Sequence, residues 1–350
     1  MEAVRWHGNR DVRVESVELE LPLDPGMVEA EVAFCGICGS DVAEYAHGPF
    51  AIRARPHVLT GQQPPLTLGH EFTARIVALG EGVEDIAVGD RVSADACWRC
   101  GRCPACLAGT YNRCPFSGSI GLASDGAMAP RVRFPAYCAV PLPEGVSDRA
   151  GALLEPLAVA LHALARVDAQ AGETVVVLGF GPIGACTSES AAAMGLRVLV
   201  SEPAAARRER ARALGHEVHT PEGDARDVAR SVRAMTAGGA QIVVDASGVP
   251  AALEVAPEMT ARGGRIAVVG LPKRPPVIDA ARLVLYERSL VGSLGYAHDL
   301  PRAATMIAAG RLDPERLITK VIPLAETPEE LERLAAGAAD EIKVLIDVNA

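Results

Sequence analysis

Four side chains able to hold a metal stand apart along the chain: Cys38 in "CGICGSD", His70 and Glu71 in "LGHEF", and Glu155 in "LLEPLAVALHA". Their separation means that only a tertiary fold can unite them. A mixed sulfur, nitrogen and oxygen shell that leaves one place for water or substrate is what a catalytic zinc needs. Each residue also has an ordinary reading. A single cysteine is most often a small buried hydrophobe. A glutamate ahead of a proline, as at Glu155–Pro156, suits the first turn of a helix.

A second group is local. The stretch "CWRCGRCPACLAGTYNRC", from Cys97 to Cys114, holds five of the nine cysteines. Cys100, Cys103, Cys106 and Cys114 follow C-x2-C-x2-C-x7-C. That spacing suits a loop wrapped round one ion, with the fourth thiolate closing a tetrahedron. Zinc favours such a shell, and four thiolates leave no open position, so the expected role is structural. Gly101, Pro104 and Gly109 allow the tight turns. Cys97 precedes the series by the same spacing and is the alternative to Cys100.

A third group reads as a phosphate cradle. In "ETVVVLGFGPIGACTSESAAAMGLRVLVSEP" the apolar run Val175–Leu178 predicts a buried parallel strand. Gly179, Phe180, Gly181, Pro182, Ile183 and Gly184 then make a G-x-G-x-x-G turn, followed by an alanine-rich helix. In such a turn the first glycine permits the bend. The second lets a pyrophosphate approach the backbone, and the third lets the helix pack on the strand. The helix N-terminus offers free N–H groups and a positive dipole end to the phosphates. A second strand, Arg197–Val200, leads to Glu202. A carboxylate there can accept hydrogen bonds from the adenosine ribose hydroxyls and repel a 2′-phosphate, which favours NAD over NADP. Arg207 and Arg208 follow, and an arginine can receive a phosphate.

These groups need elements to position them. Gln241–Asp245 and Arg265–Val269 predict further strands, and segments around Ala204–Leu214, Ala225–Met235 and Ala251–Met259 predict helices. Alternating strands and helices imply a doubly wound parallel sheet. The first 150 residues differ: they are rich in Val, Gly and Pro, with short strand-like runs such as "MVEAEVAF" and "FTARIVALG", and predict a mostly β domain. A length of 350 residues suits two ordinary domains with a sizeable core, and 49% hydrophobic residues suit a globular chain. The net charge of -10 argues against a nucleic-acid partner. No apolar run reaches the roughly 18 residues of a membrane span. The charged N-terminus lacks the apolar core and cleavage site of a secretory signal. The expected location is therefore cytoplasmic, where structural disulfides are rare and thiols are free for metals.

Along its whole length the chain resembles the zinc-containing medium-chain dehydrogenase family. The resemblance rests on "GICGSD", "PLTLGHEF", the C-x2-C-x2-C-x7-C lobe, "GALLEPLAVALHA" and "VLGFGPIG", in the family's order, through to "EIKVLIDV". "GPF" and "PHVLTGQQPPLTLGHEF" resemble the (R,R)-butanediol dehydrogenase branch, and "CGSDVAEYAHG" the sorbitol dehydrogenase branch. The resemblance implies an α/β chain in which a GroES-like, mostly β catalytic domain is interrupted by a Rossmann doubly wound parallel-sheet domain. The expected bounds are 1–152 and 153–296, with a return to the first domain over 297–350. Two zinc ions are implied. A catalytic one would sit on Cys38, His70 and either Glu71 or Glu155, the two glutamates able to alternate as the metal moves. A structural one would sit on Cys100, Cys103, Cys106 and Cys114. NAD is implied as cofactor, with the glycine turn, Glu202 and Arg207 as its contacts. A homodimer or homotetramer is implied, paired through a sheet edge near Ser289–Leu294. An interior strand is the other reading of that run.

The reaction so implied is hydride transfer between a secondary alcohol (a polyol, vicinal diol or cyclitol) and NAD. Ser40, two residues after Cys38, is placed by the resemblance to start the relay that carries the alcohol proton to solvent. A serine there also suits a helix N-cap. Many relatives carry a histidine where this chain has Ala43. His47 lies four residues further on, shares a helical face with Ala43 if the segment is helical, and is the candidate to replace the missing group. His57 and His162 read as structural. Two other enzymatic readings stay open: amino alcohol oxidation resembling that of threonine dehydrogenase, and a redox-neutral epimerase or lyase that recycles bound NAD. A nucleotide-binding sensor with a decayed metal site is the non-enzymatic reading.

Overall fold

In the computed structural model, residues 1–19, 22–338 and 340–350 are described. The chain divides into two units: one joins Met1–Glu155 to Leu300–Ala338 and Lys343–Ala350, and the other is built on Pro156–Asp299.

The first unit is mostly β, as its Val-rich alternating runs predict. Its main sheet has the spatial order Ala139–Pro141, Arg91–Ala94, Glu71–Leu79, Met27–Gly36, Lys343–Asp347, Ile318–Pro323, with Arg131–Pro135 also pairing onto Met27–Gly36. Val28, Ala30, Val32, Phe72, Val92 and Phe134 form its buried core, and Phe72 meets Phe134 edge-on at 5.5 Å between centroids. Met27–Gly36 has antiparallel neighbours on both sides. Gly36 stands opposite Glu71 on one side and Leu345 on the other. The last strand of the chain is thereby laid next to strands from its beginning.

Helix α1 (Gly39–His47) follows that central strand directly. Its start is fixed by Asp41, whose Oδ2 accepts the Cys38 N–H at 2.9 Å and whose charge suits the first turn. Cys38 is therefore the N-cap, and Ser40 lies one step inside the helix, which corrects the N-cap reading of Ser40. Past the helix, buried Glu44 gathers the N–H groups of Phe50 (3.0 Å) and Ile52 (3.2 Å) and holds the following turn.

The second unit carries six parallel strands: β1 (Thr174–Leu178), β2 (Arg197–Ser201), β3 (Glu217–His219), β4 (Ala240–Asp245), β5 (Thr260–Val268) and β6 (Ser289–Gly292). Their spatial order is β3-β2-β1-β4-β5-β6. Val175, Val176, Val177 and Leu178 are buried, as a strand covered on both faces requires. Helix α2 (Leu154–Arg166) leads into this unit, and helices α3 (Pro182–Ala193), α4 (Ala205–Ala213), α5 (Ala225–Met235) and α6 (Pro250–Met259) complete the alternation where the sequence predicts it. Strand β5 starts earlier than the apolar run at Arg265, because Thr260 already pairs with Ala240 before a register shift. Strand β3 has no apolar run to announce it. Strand β6 is the sheet edge, so the interior reading of Ser289–Leu294 does not hold. Among the described residues, no helix is long and apolar enough to cross a membrane.

Candidate functional site

Strand and helix ends bring three of the four separated ligand candidates together. Cys38 ends the connection into α1, His70 precedes the strand Glu71–Leu79, and Glu71 opens it. Their ligand atoms lie within 4.8 Å of one another. Glu155 is not in that set. It sits nearly buried in the first turn of α2, as its position before Pro156 predicts, and still adds to the field at Cys38.

The surroundings prepare these donors. Burial, then the Asp41 carboxylate, pushes the Cys38 thiol up to about 11, against Lys343 and the Ser40 hydroxyl. Such a thiol stays neutral near pH 7 unless a cation holds the thiolate. His70 Nδ1 faces Asp41 Oδ1 at 3.7 Å, and both atoms are buried without a hydrogen-bond partner in the structure. Burial raises the Asp41 pKa, with His70 opposing. A carboxylate facing the second ring nitrogen is the group that orients ligand imidazoles, here at a distance longer than a hydrogen bond. Nε2, the other nitrogen, is 3.3 Å from Ser40 Oγ. Glu71 Oε1 is likewise buried and unpaired. A neutral thiol, an imidazole nitrogen and an unpaired carboxylate oxygen converge, and a zinc ion fits this S, N and O set.

Glu71 Oε2 pairs with buried Lys343, whose Nζ also donates to the Ile37 carbonyl at 2.9 Å. The two side chains meet across Gly36, where a Cβ would collide with both. Burial lowers Lys343 to about 8, against the fields of Cys38, Asp41 and Cys35. Lys343 was not among the residues singled out by sequence. A lone lysine in "EIKVLIDV" signals nothing until the strand order places it.

The cysteine lobe gathers the four thiols of the later spacing: Cys100, Cys103, Cys106 and Cys114 lie within 4.8 Å of one another. Cys97 stays outside, its Sγ 3.6 Å from the Trp98 carbonyl. The Arg102 N–H draws Cys100 down to about 6, whereas burial and neighbouring thiols push Cys106 up to about 12. Four thiols converging on one point suit a dication such as zinc. Arg99 ties the lobe down. It lies 4.1 Å over the Tyr111 ring and 4.4 Å over that of Tyr137, and reaches Asp95 at 3.1 Å.

In the second unit the carboxyl ends of β1, β2 and β4 frame a cavity of about 540 Å³. Gly179, Gly181, Pro182, Glu202 and Arg207 line it. Gly184 lies against the turn: a Cβ there would collide with the Gly179 carbonyl. Phe180 and Ile183 are not lining residues. The Phe180 ring is fully buried against His216, and its N–H goes to Glu202 Oε2 at 2.6 Å. Glu202 Oε1 accepts the Ala204 N–H at 2.8 Å. Each carboxylate oxygen keeps a second lone pair for a ribose hydroxyl. Arg208 is engaged by the carbonyls of Glu202 and Pro203, which leaves Arg207 as the arginine of the cavity. Ser247, which lines it through a 2.6 Å bond to Asp245, was missed because nothing but the turn past β4 announces it.

The remaining histidines differ in setting. His47 is exposed, at the last position of α1. His57 is buried, and its Nδ1 accepts the Leu59 N–H at 3.3 Å. His162 Nδ1 is 3.0 Å from Asp299 Oδ2. The last two hold the fold locally.

Residues 182–309 match the family model described as zinc-binding dehydrogenase, and residues 24–144 the model of the alcohol dehydrogenase GroES-like domain. The chain is 34% identical to (R,R)-butanediol dehydrogenase of Bacillus subtilis (strain 168), with 100% of both chains covered. It is 30% identical to sorbitol dehydrogenase of the same strain, covering 100% of this chain and 98% of that one. The crystal structure of 2R,3R-butanediol dehydrogenase from Bacillus subtilis matches with a TM-score of 0.92 at 34% identity, over 99% of each chain. A zinc-binding dehydrogenase of Sinorhizobium meliloti 1021, described bound to NADP, matches with a TM-score of 0.88 at 31% identity, over 99% of this chain and 98% of that one.

Proposed function

We propose, for a chain that belongs to the zinc-binding alcohol dehydrogenase family, hydride transfer between the carbinol carbon of a polyol, vicinal diol or cyclitol and NAD. That it is an oxidoreductase acting on CH–OH groups follows from the family itself. The observation that carries the proposal is the convergence of Cys38, His70 and Glu71. Cys38, His70 and Glu71 would hold the catalytic zinc, with Glu155 as the alternative carboxylate, and the four-thiol lobe would hold a structural one. Zinc held there supplies Lewis acidity that makes a bound alcohol acidic near neutral pH. The nicotinamide of NAD supplies the hydride acceptor.

The chain's own groups do the rest. Asp41 faces His70 from the Nδ1 side, and Lys343 pairs with Glu71 through Oε2. Ser40 Oγ, beside His70 Nε2, is positioned to take the hydroxyl proton and pass it on. His47 lies on the same helical face, about 10 Å along the axis at 1.5 Å per residue, so water or a cofactor hydroxyl must bridge the two. If His47 is the outlet, His47→Ala slows alcohol oxidation most at low pH, by roughly a hundredfold, and an imidazole buffer partly restores it. A pH–rate profile unchanged in His47→Ala, with oxidation accelerated in Ala43→His, rejects that role. A panel of diols, polyols, cyclitols and amino alcohols read by NADH formation tests the substrate class. Product formed without net NADH would favour the redox-neutral epimerase or lyase instead.

The cavity at Gly179–Gly184 favours NAD because Glu202 presents a carboxylate held in place by two N–H groups. Glu202→Gln keeps the shape and removes the charge. It is expected to narrow the NAD-over-NADP ratio of kcat/KM by about tenfold, the size of one lost like-charge contact of about 1.4 kcal/mol, with Arg207 then free to attract the 2′-phosphate. Equal efficiency with both cofactors in the parent enzyme rules the preference out. As for assembly, the β6 edge exposes Leu290, and Leu294 follows it at 64% exposure, an apolar edge that pairing with a second copy would cover. Light scattering should give a dimer or tetramer at micromolar concentration, and a monomer would refute it.

A further inference from the structure

Helix α3 opens on the glycine turn and is built mostly from small side chains, in "PIGACTSESAAA". Its one charged residue, Glu189, is buried. Glu189 Oε1 lies 2.7 Å from Nε2 of His216, the residue just before β3, and the two side chains are 9% and 5% exposed. Taking a carboxylate and an imidazole out of water is costly, and apolar side chains of similar size would fill the same space with less penalty. Neither residue lines the cofactor cavity. The use of the pair lies in what its imidazole touches.

The His216 ring meets the Phe180 ring edge-on, at 6.1 Å between centroids and 66° between planes. An edge-to-face pair has a preferred geometry, so it holds a ring orientation that a plain apolar contact would leave loose. Phe180 is fully buried, and its own N–H donates to Glu202 Oε2 at 2.6 Å. The backbone of Glu202 is held by the sheet, through its N–H and the His219 carbonyl at 3.2 Å. Its carboxylate is held by the N–H groups of Ala204 and Phe180. The Ala204 bond is local and travels with the turn past β2. The Phe180 bond crosses from the end of β1, so it sets where the carboxylate stands relative to the glycine turn.

We propose that Glu189 and His216 are positioning residues for cofactor choice: the pair fixes the Phe180 ring, Phe180 fixes the Glu202 carboxylate, and Glu202 reads the 2′ position of the adenosine ribose. The inference rests on the reading that Glu202 faces that ribose, and extends it to two residues outside the cavity. Without the imidazole edge, the Phe180 ring relaxes toward the space left behind. Its N–H then leaves its short line to Oε2, and the carboxylate follows the Ala204 turn instead. The like charge that a 2′-phosphate meets is weakened as a result.

The test is the ratio of the NADPH to the NADH dissociation constant, measured by cofactor fluorescence on the full chain. Both cofactors report on the same folded molecules, so a loss of stability alone leaves the ratio where it was. His216→Ala and Glu189→Ala are each expected to narrow it by about threefold or more, the scale of one edge-on ring contact. Phe180→Leu, which keeps the N–H and an apolar side chain, should narrow it likewise and stands in for an alanine variant that does not fold. Glu189→Gln, which keeps an oxygen for the imidazole, should keep the parent ratio. In the Glu202→Gln background His216→Ala should add nothing, because the residue it acts through has already lost its charge. A parent-like ratio in His216→Ala, or in Phe180→Leu where that variant stands in for it, overturns the inference if Glu202→Gln does narrow the ratio, and Glu202 then keeps its role. Further narrowing by His216→Ala on top of Glu202→Gln overturns it too. An unchanged ratio in Glu202→Gln removes the Glu202 reading itself, and this inference with it.

Discussion

Cys38→Ser is expected to lower alcohol oxidation by about a thousandfold or more while leaving NADH binding within a factor of about two. The rate figure follows from losing several kcal/mol of charge stabilisation at about 1.4 kcal/mol per tenfold. The binding figure follows because every lining residue of the nucleotide cavity lies in the other unit. The loss should be visible in the metal as well as in the rate. Two groups of side chains able to hold a metal exist among the described residues, so protein purified without added metal should approach two zinc ions per chain. Cys38→Ser should bring that value to about one, because a buried serine hydroxyl does not ionise to replace a thiolate. Cys103→Ser should also bring it to about one, but with the reverse pattern: turnover per folded molecule is kept and the thermal midpoint falls. Full zinc and full turnover in Cys38→Ser would remove Cys38 from the catalytic role. A parent value near one, unaltered by Cys106→Ser, would remove the lobe as a metal site.

Lys343→Met is expected to be strongly destabilising, at about 3–5 kcal/mol, since it removes the cation that Glu71 Oε2 pairs with in the interior. The side chains of the pair are 2% and 1% exposed, so bulk solvent does not compensate for the lost cation. Glu71→Gln alone should cost less, because the Lys343 ammonium keeps the Ile37 carbonyl and can shed its proton. The double variant Lys343→Met with Glu71→Gln should recover much of the loss, giving a coupling energy of roughly 1–3 kcal/mol in a double-mutant cycle. Urea midpoints of the four proteins, at matched zinc content, provide the measurement. Additive losses would mean that the two side chains are neighbours without a shared role.

These two predictions differ in how far the sequence alone could reach. Cys38, His70 and Glu71 were legible as candidates because their residue types are those of a metal shell. Lys343 was invisible, although it touches the same carboxylate. The glycine turn was legible as a strand–turn–helix, since its bend, the buried strand before it and the helix after it are all local. Phe180 shows the limit within that turn. Its position belongs to the motif, but its ring faces the core, and only its N–H serves the site.

The sequence by itself determined what is settled within a few residues of chain: the thiol spacing of the lobe, the strand–turn–helix of the cofactor cavity, and the alternation that makes a parallel sheet. Such features depend on backbone reach and on side chains that meet because they are close along the chain. Only the tertiary structure decided that Glu71 joins Cys38 and His70 while Glu155 stays at its helix start, and that Cys97 remains outside the cage. It also decided that Lys343 backs the Cys38–His70–Glu71 cluster. Those outcomes depend on strand order and register. The last strand is laid antiparallel to Met27–Gly36, and its pairing moves a side chain across a gap of 272 residues to within contact of Glu71. Register is set by the burial of a whole sheet face, a sum over many residues that no local pattern contains.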